Sequence, residues 1–256
     1  MRLLLLLVFF LLVSTSYYQA APQRNFPRND RVVVRPRTIV IVRRELAKTF
    51  PGKQRATIKY PLISGLSDAR VLRRVQSLLQ VKNVFDTSVA EYRDGNWLEE
   101  FSYEVSYNKN YILDITFTQD GLGAYPDTQT KHFAINLKNG AVIKASDAFL
   151  PQKLNGLLEL VKGKFRAELR QVLVDLRESK SDPEDIRIAK EAQEALEFKL
   201  SDIDDFSISD KGVTFLYDAG YPHVIQAFEP EGRYFFSYPE LKSYIKLDGP
   251  LGQFIH

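Results

Sequence analysis

Phe101, Tyr103, Val105 and Tyr107 alternate with Ser102, Glu104 and Ser106. After Asn108-Lys109-Asn110, the residues Tyr111, Leu113, Ile115 and Phe117 alternate with Ile112, Asp114, Thr116 and Thr118. Successive side chains of a strand point to opposite faces, so a period of two with one largely polar set describes strands covered on one side. The intervening Asn residues tolerate the positive φ of a tight turn. Residues 101–117 therefore read as an antiparallel hairpin. A third strand carries Phe133, Ile135 and Leu137 and is closed by the Asn139-Gly140 turn. Thr38–Val42 and Gln54–Tyr60, the latter ended by Pro61, read as two further short strands.

Elsewhere the period becomes helical. Ser67 opens a helix whose Val71, Leu72, Val75, Leu78 and Leu79 share one face. Between 151 and 197, Leu154, Leu157, Leu158, Val161, Phe165, Leu169, Val172, Leu173 and Leu176 form one long apolar stripe. A break at Ser179–Pro183 starts a second helix, capped by Asp182 or Ser181 with Pro183 in its first turn. Phe206 and Ile208, then Val213, Phe215 and Tyr217, then Tyr234, Phe236 and Tyr238 return to strand spacing, and 239–247 closes as a short helix. Runs of strands separated from runs of helices predict an α+β fold: an antiparallel sheet with helices packed on one face, including the 151–197 helical hairpin.

The N-terminus has a different character. Arg2 precedes eleven apolar residues, Leu3–Val13, followed by a stretch with small residues. This is the pattern of a signal peptide over 1–21, too short for the ~20 residues of a membrane span. The expected location is extracytoplasmic, in the periplasm or secreted, with no stable membrane span after cleavage. The chain has no Cys, which excludes disulfides, thiolate metal sites, a cysteine nucleophile and a lipid anchor on cysteine.

Charge is unevenly spread. Residues 22–59 hold eleven Lys and Arg against Asp30 and Glu45, a net of +9, whereas residues 60–256 carry −7. Residues 22–53 thus read as a basic extended arm with a short strand. Its first part, Pro22–Arg37, contains three prolines and few apolar groups and is expected to be mobile. Residues 54–256 form the folded domain, with an N-terminal part at 54–130 and a C-terminal part at 131–256. An acidic body argues against nucleic acid as a partner, and the basic arm suits a weak, salt-screened attraction to anionic envelope polymers.

No catalytic constellation stands out. Of His132, His223 and His256, none lies in a His-Glu-x-x-His motif. There is no Gly-x-Ser-x-Gly elbow and no phosphate loop, and Gly121-Leu122-Gly123 lacks the third glycine of a dinucleotide site. Asp202, Asp204 and Asp205 lack the glycine and distal Glu of a calcium loop. No metal ligands and no cofactor are expected, and an enzyme is the less favoured reading. A carboxylate pair for glycan cleavage leaves no sequence signature, because its members need not be neighbours in the chain. Two loops, Tyr125-Pro126-Asp127 and Tyr221-Pro222-His223, put an aromatic before a proline. Exposed aromatics on rigid loops suit sugar rings or protein partners, which makes Tyr125, Asp127, Tyr221 and His223 the candidate binding residues.

These loops lie inside a family resemblance. Ile58-Lys59-Tyr60-Pro61-Leu62-Ile63-Ser64-Gly65, the stretch Gly123–Pro126 with His132–Gly140 and Asp147-Ala148-Phe149, and 206–238 with the closing Tyr238-Pro239-Glu240-Leu241 resemble the domain of unknown function 3298. It is often preceded by the domain numbered 4163. Such modules form the secreted half of RsiV-like anti-sigma factors and occur beside peptidoglycan deacetylases of the PdaC type. The resemblance covers roughly 55–256. It implies an extracytoplasmic α+β binding or sensing module whose partner is cell-wall glycan or a lysozyme-like protein. Where anti-sigma members carry a Gly-Gly-x-His cluster, this chain has Tyr125-Pro126-Asp127-Thr128, and no cytoplasmic sigma-binding part or deacetylase is expected in it. The alternatives are an envelope glycan-active enzyme with unrecognised carboxylates, or a structural partner protein that uses the 151–197 helices.

Overall fold

A computed structural model describes residues 30–44, 46–95, 97–122 and 126–255. The signal segment 1–21, the start of the arm and Tyr125 lie outside them. Six strands form the first sheet in chain order: β1 (Val33–Val42), β2 (Arg55–Ser64), β3 (Leu98–Lys109), β4 (Ile112–Leu122), β5 (Pro126–Asn136) and β6 (Ala141–Val142). All neighbours are antiparallel except β2 and β3. That parallel step needs a crossover. Helices α2 (Ala69–Leu78), α3 (Val81–Val84) and α4 (Val89–Asp94) supply it, following a short α1 (Leu46–Thr49) between β1 and β2. Asp68 caps α2 by accepting from the Arg70 and Val71 N–H groups, and Ser88 with Glu91 forms a capping box on α4. The expected 101–117 hairpin is β3–β4. Asn110 and Tyr111 turn it with φ of 55° and 59°, the positive values of a two-residue turn matched to strand twist.

The arm differs from the expectation. From Val33 onward it is not mobile but the edge strand β1, paired with β2 over ten residues, with Ile41 1% exposed. Val32–Val34 and Ile39–Ile41 supply the apolar groups, and Pro36 is tolerated because an edge strand has one side without ladder partners. Strand β2 also runs through Pro61 to Ser64. It meets β3 only at Thr57 and Ile58, so Pro61 removes no bond from that side.

A second layer follows. After α5 (Ala145–Ala148) come α6 (Leu154–Glu178) and α7 (Pro183–Glu194), the expected helical hairpin, then a three-stranded antiparallel sheet of β7 (Phe206–Ile208), β8 (Gly212–Leu216) and β9 (Arg233–Ser237), and a closing α8 (Tyr238–Leu241). The mixed strand and helix content is α+β. Helices α2–α4 cover one face of the large sheet, where Leu113, Ile115, Phe117, Phe133 and Ile135 join Val71, Val75 and Tyr92 in one core. The opposite face was expected to be wet. At the β4–β5 end it is instead covered: Ile112 and Ala134 join Phe149, Leu157, Val161, Phe165, Phe206, Phe215 and Phe236 in a second core. The hairpin packs within this second layer, through Leu157, Val161 and Phe165, and not on the helix-bearing face.

Candidate functional site

The polar residues of the β4–β5 ribbon divide by face. Gln119 and Gln129 are register partners, as are Gly121 and Asp127. Gln119 is buried beside Tyr92 of α4, and a buried amide requires partners. It accepts from the Tyr92 hydroxyl at 2.5 Å and donates to Gln129 Oε1 at 2.7 Å. Gln129 in turn donates to Asp127 Oδ2 at 2.9 Å. Burial pushes the Tyr92 phenol up to about 12, so it stays a donor, and the direction of the chain is set from the core outward. It ends on a carboxylate at the start of β5.

Asp127 stands at one wall of a cleft of about 760 Å³. The same wall holds Thr128–Lys131, Asn83 and Val84 at the end of α3, and Phe85 and Asp86 just after it, where Asp86 takes a φ of 54°. The other wall comes from the β8–β9 connection and carries Asp218, Gly220, Tyr221, Gln226 and Glu229. Its base is fixed by Glu168 of α6, whose carboxylate accepts from the Glu231 N–H at 2.7 Å and from the Tyr234 hydroxyl at 2.8 Å. Gly232 there has a φ of 67°, and a Cβ would sit 1.9 Å from the Tyr217 carbonyl oxygen, so only glycine fits. The Tyr221 hydroxyl is buried without a hydrogen-bond partner among the described residues, and burial pushes it up to about 12.

Beside this cleft the two layers are joined by an ionic bridge. Asp114 of β4 is fully buried on the face that meets the second layer. It accepts from the Ile208 N–H at 2.6 Å, the Ser207 hydroxyl at 3.1 Å and the Ser106 hydroxyl. His132 of β5, its side chain 4% exposed, holds Asp114 through Nε2 and Asp205 through Nδ1, both at 3.0 Å. Burial alone would lower the imidazole; the hydrogen bonds and charges of the two carboxylates outweigh it and raise His132 to about 9. Both ring nitrogens are therefore donors, and His132 is a cation at neutral pH. The serine hydroxyls address Asp114 and not the imidazole, so the trio is not a nucleophile and base pair. Among the described residues no cluster of His, Asp or Glu is arranged to hold a metal ion.

No family model matches the sequence, and no curated protein matches it. Solved structures do resemble it. A DUF3298 family member from Bacteroides fragilis superposes with a TM-score of 0.56 at 12% identity, over 88% of this chain and 97% of that one. A DUF3298 family protein from Pseudomonas aeruginosa PAO1 gives 0.50 at 14% identity, over 85% and 94%. The chain has the DUF3298 fold. At such identities the likeness speaks for the architecture alone.

Within the DUF3298 fold of this chain, two of the four sequence-predicted residues meet. Asp127 and Tyr221 face the same cleft from opposite walls. His223 opens a short 3-10 helix, His223–Phe228, beside it and is exposed but does not line it. Tyr125 lies outside the described residues. The His132, Asp114 and Asp205 bridge was missed. Its sequence signal is a charged residue inside each of two alternating strands, at positions 114 and 132, which is costly unless the charges pair.

Proposed function

We propose that this chain is a secreted, non-catalytic binding module of the cell envelope, akin to the secreted half of RsiV-like proteins, with cell-wall glycan held in the cleft between β5 and the β8–β9 connection. The observation that carries this reading is the convergence of Asp127 and Tyr221, distant in sequence, on one cleft of about 760 Å³. Its volume lies within the ~300–1,000 Å³ range of small-ligand sites. Amides, hydroxyls and carboxylates of Gln129, Thr128, Thr130, Gln226 and Glu229 suit sugar hydroxyls, and the rings of Phe85 and Tyr221 suit sugar faces. A basic, lysozyme-like protein partner is the second reading. It is favoured by Asp86, Asp127, Asp218 and Glu229 outnumbering Lys131, the one cation among the described lining residues, and by Val224, 84% exposed on the adjacent 3-10 helix. The test is retention of the mature chain on peptidoglycan and on immobilised lysozyme, with Asp127→Asn and Tyr221→Ala as controls. Glycan retention lost in both variants supports the first reading. Lysozyme retention alone supports the second, and turnover of labelled glycan would replace both with an enzyme.

A further inference from the structure

The cleft is built by two layers whose cores meet at the β4–β5 ribbon, and a polar junction beside those apolar contacts bears on how its walls stand. One wall belongs to the six-stranded layer (Asn83–Asp86 and Asp127–Lys131), the other to the connection between β8 and β9. His132 directly follows Lys131 on the first wall. Its partner Asp205 is tied to the second: the Asp205 carbonyl accepts from the Leu216 N–H at 2.9 Å, two residues before Asp218. We infer that His132 is a positioning residue for the cleft, setting the separation of its walls through the bridge it makes between Asp114 and Asp205.

The electrostatics around the bridge leave no substitute for this cation. Asp114 comes from β4 and is fully buried, Asp205 precedes β7 and has its side chain 55% exposed, and the Ser106 and Ser207 hydroxyls donate to Asp114. Asp204, Lys131 and Lys144 line a neighbouring cleft of about 280 Å³ with His132. Asp204 is engaged with the Ala145 N–H at 2.9 Å, and neither lysine makes an ion pair with Asp114 or Asp205. With the imidazole neutral, one ring nitrogen loses its proton, and one of the two carboxylates loses its hydrogen bond. The two anions then repel across the layer junction; Asp114 stays tied to β7 by the Ile208 N–H and the Ser207 hydroxyl, so the half-exposed Asp205 carboxylate is the group that moves away, and the tie between β5 and the segment that carries Asp205 is released. The functional consequence rests on the binding reading above; the geometry does not.

The absence of cysteine makes the wall separation directly measurable. Asn83→Cys with Gln226→Cys carries one spin label on each wall, on exposed side chains. Electron–electron distance measurements at pH 7 should give one narrow distribution. The wild-type bridge should lose it as pH rises through about 9, with a shift of several ångströms or a clear broadening. His132→Gln should give the broad distribution at every pH. Asp205→Asn, half-exposed and therefore compatible with folding, should move the pH midpoint down and widen the distribution partly. Identical distributions at pH 7 and 10, or an Asp205→Asn midpoint equal to wild type, would overturn the inference. So would loss of far-ultraviolet dichroism at the same midpoint, because the walls would then part by unfolding and not by release of the bridge. Walls that obey this pattern in a protein retained by neither glycan nor lysozyme would sink the proposed function and leave the positioning role standing.

Discussion

At the residue scale, the group with the largest consequence is a histidine. Held at about 9 against an ordinary 6.5, His132 binds its proton more tightly in the folded chain than in the unfolded one. Its contribution is therefore complete below pH 6.5, declines between 6.5 and 9, and is gone above. A shift of this size is worth at most about 3 kcal/mol. Thermal melts from pH 6 to 10 should show the melting temperature falling across that window, and His132→Gln should flatten the dependence. Asp114→Ala should be harsher at neutral pH, because it leaves the imidazolium with the half-exposed Asp205 alone and orphans its Nε2–H, the Ile208 N–H and two hydroxyls. Breaking a buried pair costs ~3–5 kcal/mol, readable by urea denaturation. Asp114 and His132 were visible in the sequence as polar members of alternating strands. What was not visible is that a second sheet would cover them, because alternation reports which side a residue faces and not what lies there.

Among the elements, β1 and β8 carry the sharpest expectations. Since β1 pairs with β2 from Val33 to Val42, removing the chain through Arg37 cuts into the sheet. Ile41→Ala should cost ~2–5 kcal/mol, the usual range for emptying a fully buried aliphatic site. A melting temperature unchanged by Ile41→Ala would show that β1 contributes nothing to the core. In β8, a Cβ on Gly212 would lie 2.0 Å from the Phe236 carbonyl oxygen. That neighbour is backbone in the β9 ladder and cannot turn aside, so Gly212→Ala should destabilise by ~1–3 kcal/mol or more, measured by chemical denaturation. Most elements were legible, since the hairpin and the 151–197 helices follow from local period and from the Asp182 cap, whereas α2 begins one residue later than expected, capped by Asp68 and not opened by Ser67. The misreading of residues 33–37 has a physical origin. Proline and arginine lower local strand propensity, and an edge position, which removes that penalty, is a property of the sheet and not of the segment.

For the whole molecule, the question is whether two cores behave as one. They share the β4–β5 ribbon, whose odd positions of β4 feed one core and whose Ile112 feeds the other. The single tryptophan, Trp97, packs against Tyr92 on the first core, while α6 dominates the helical signal of the second. Urea unfolding followed by Trp97 fluorescence and by far-ultraviolet dichroism should coincide in the wild type, the behaviour of a cooperative unit. In Asp114→Ala the two curves should separate, with the dichroism change at lower urea. Coincident curves in the variant would show that the shared ribbon and apolar contacts couple the layers without the ionic bridge.

The sequence by itself determined the α+β class, the 101–117 hairpin, the 151–197 helices and the Asp182 cap between them. These depend on the period of apolar residues and on turn chemistry, which act over a few residues. Only the tertiary structure decided that β1 is an edge strand, that the polar face of β4 and β5 is roofed by a second sheet, and that Asp127 and Tyr221 share a cleft. Each of these joins residues far apart in the chain, and such pairings are chosen by the burial of whole faces and the pairing of buried charges, neither of which leaves a local pattern.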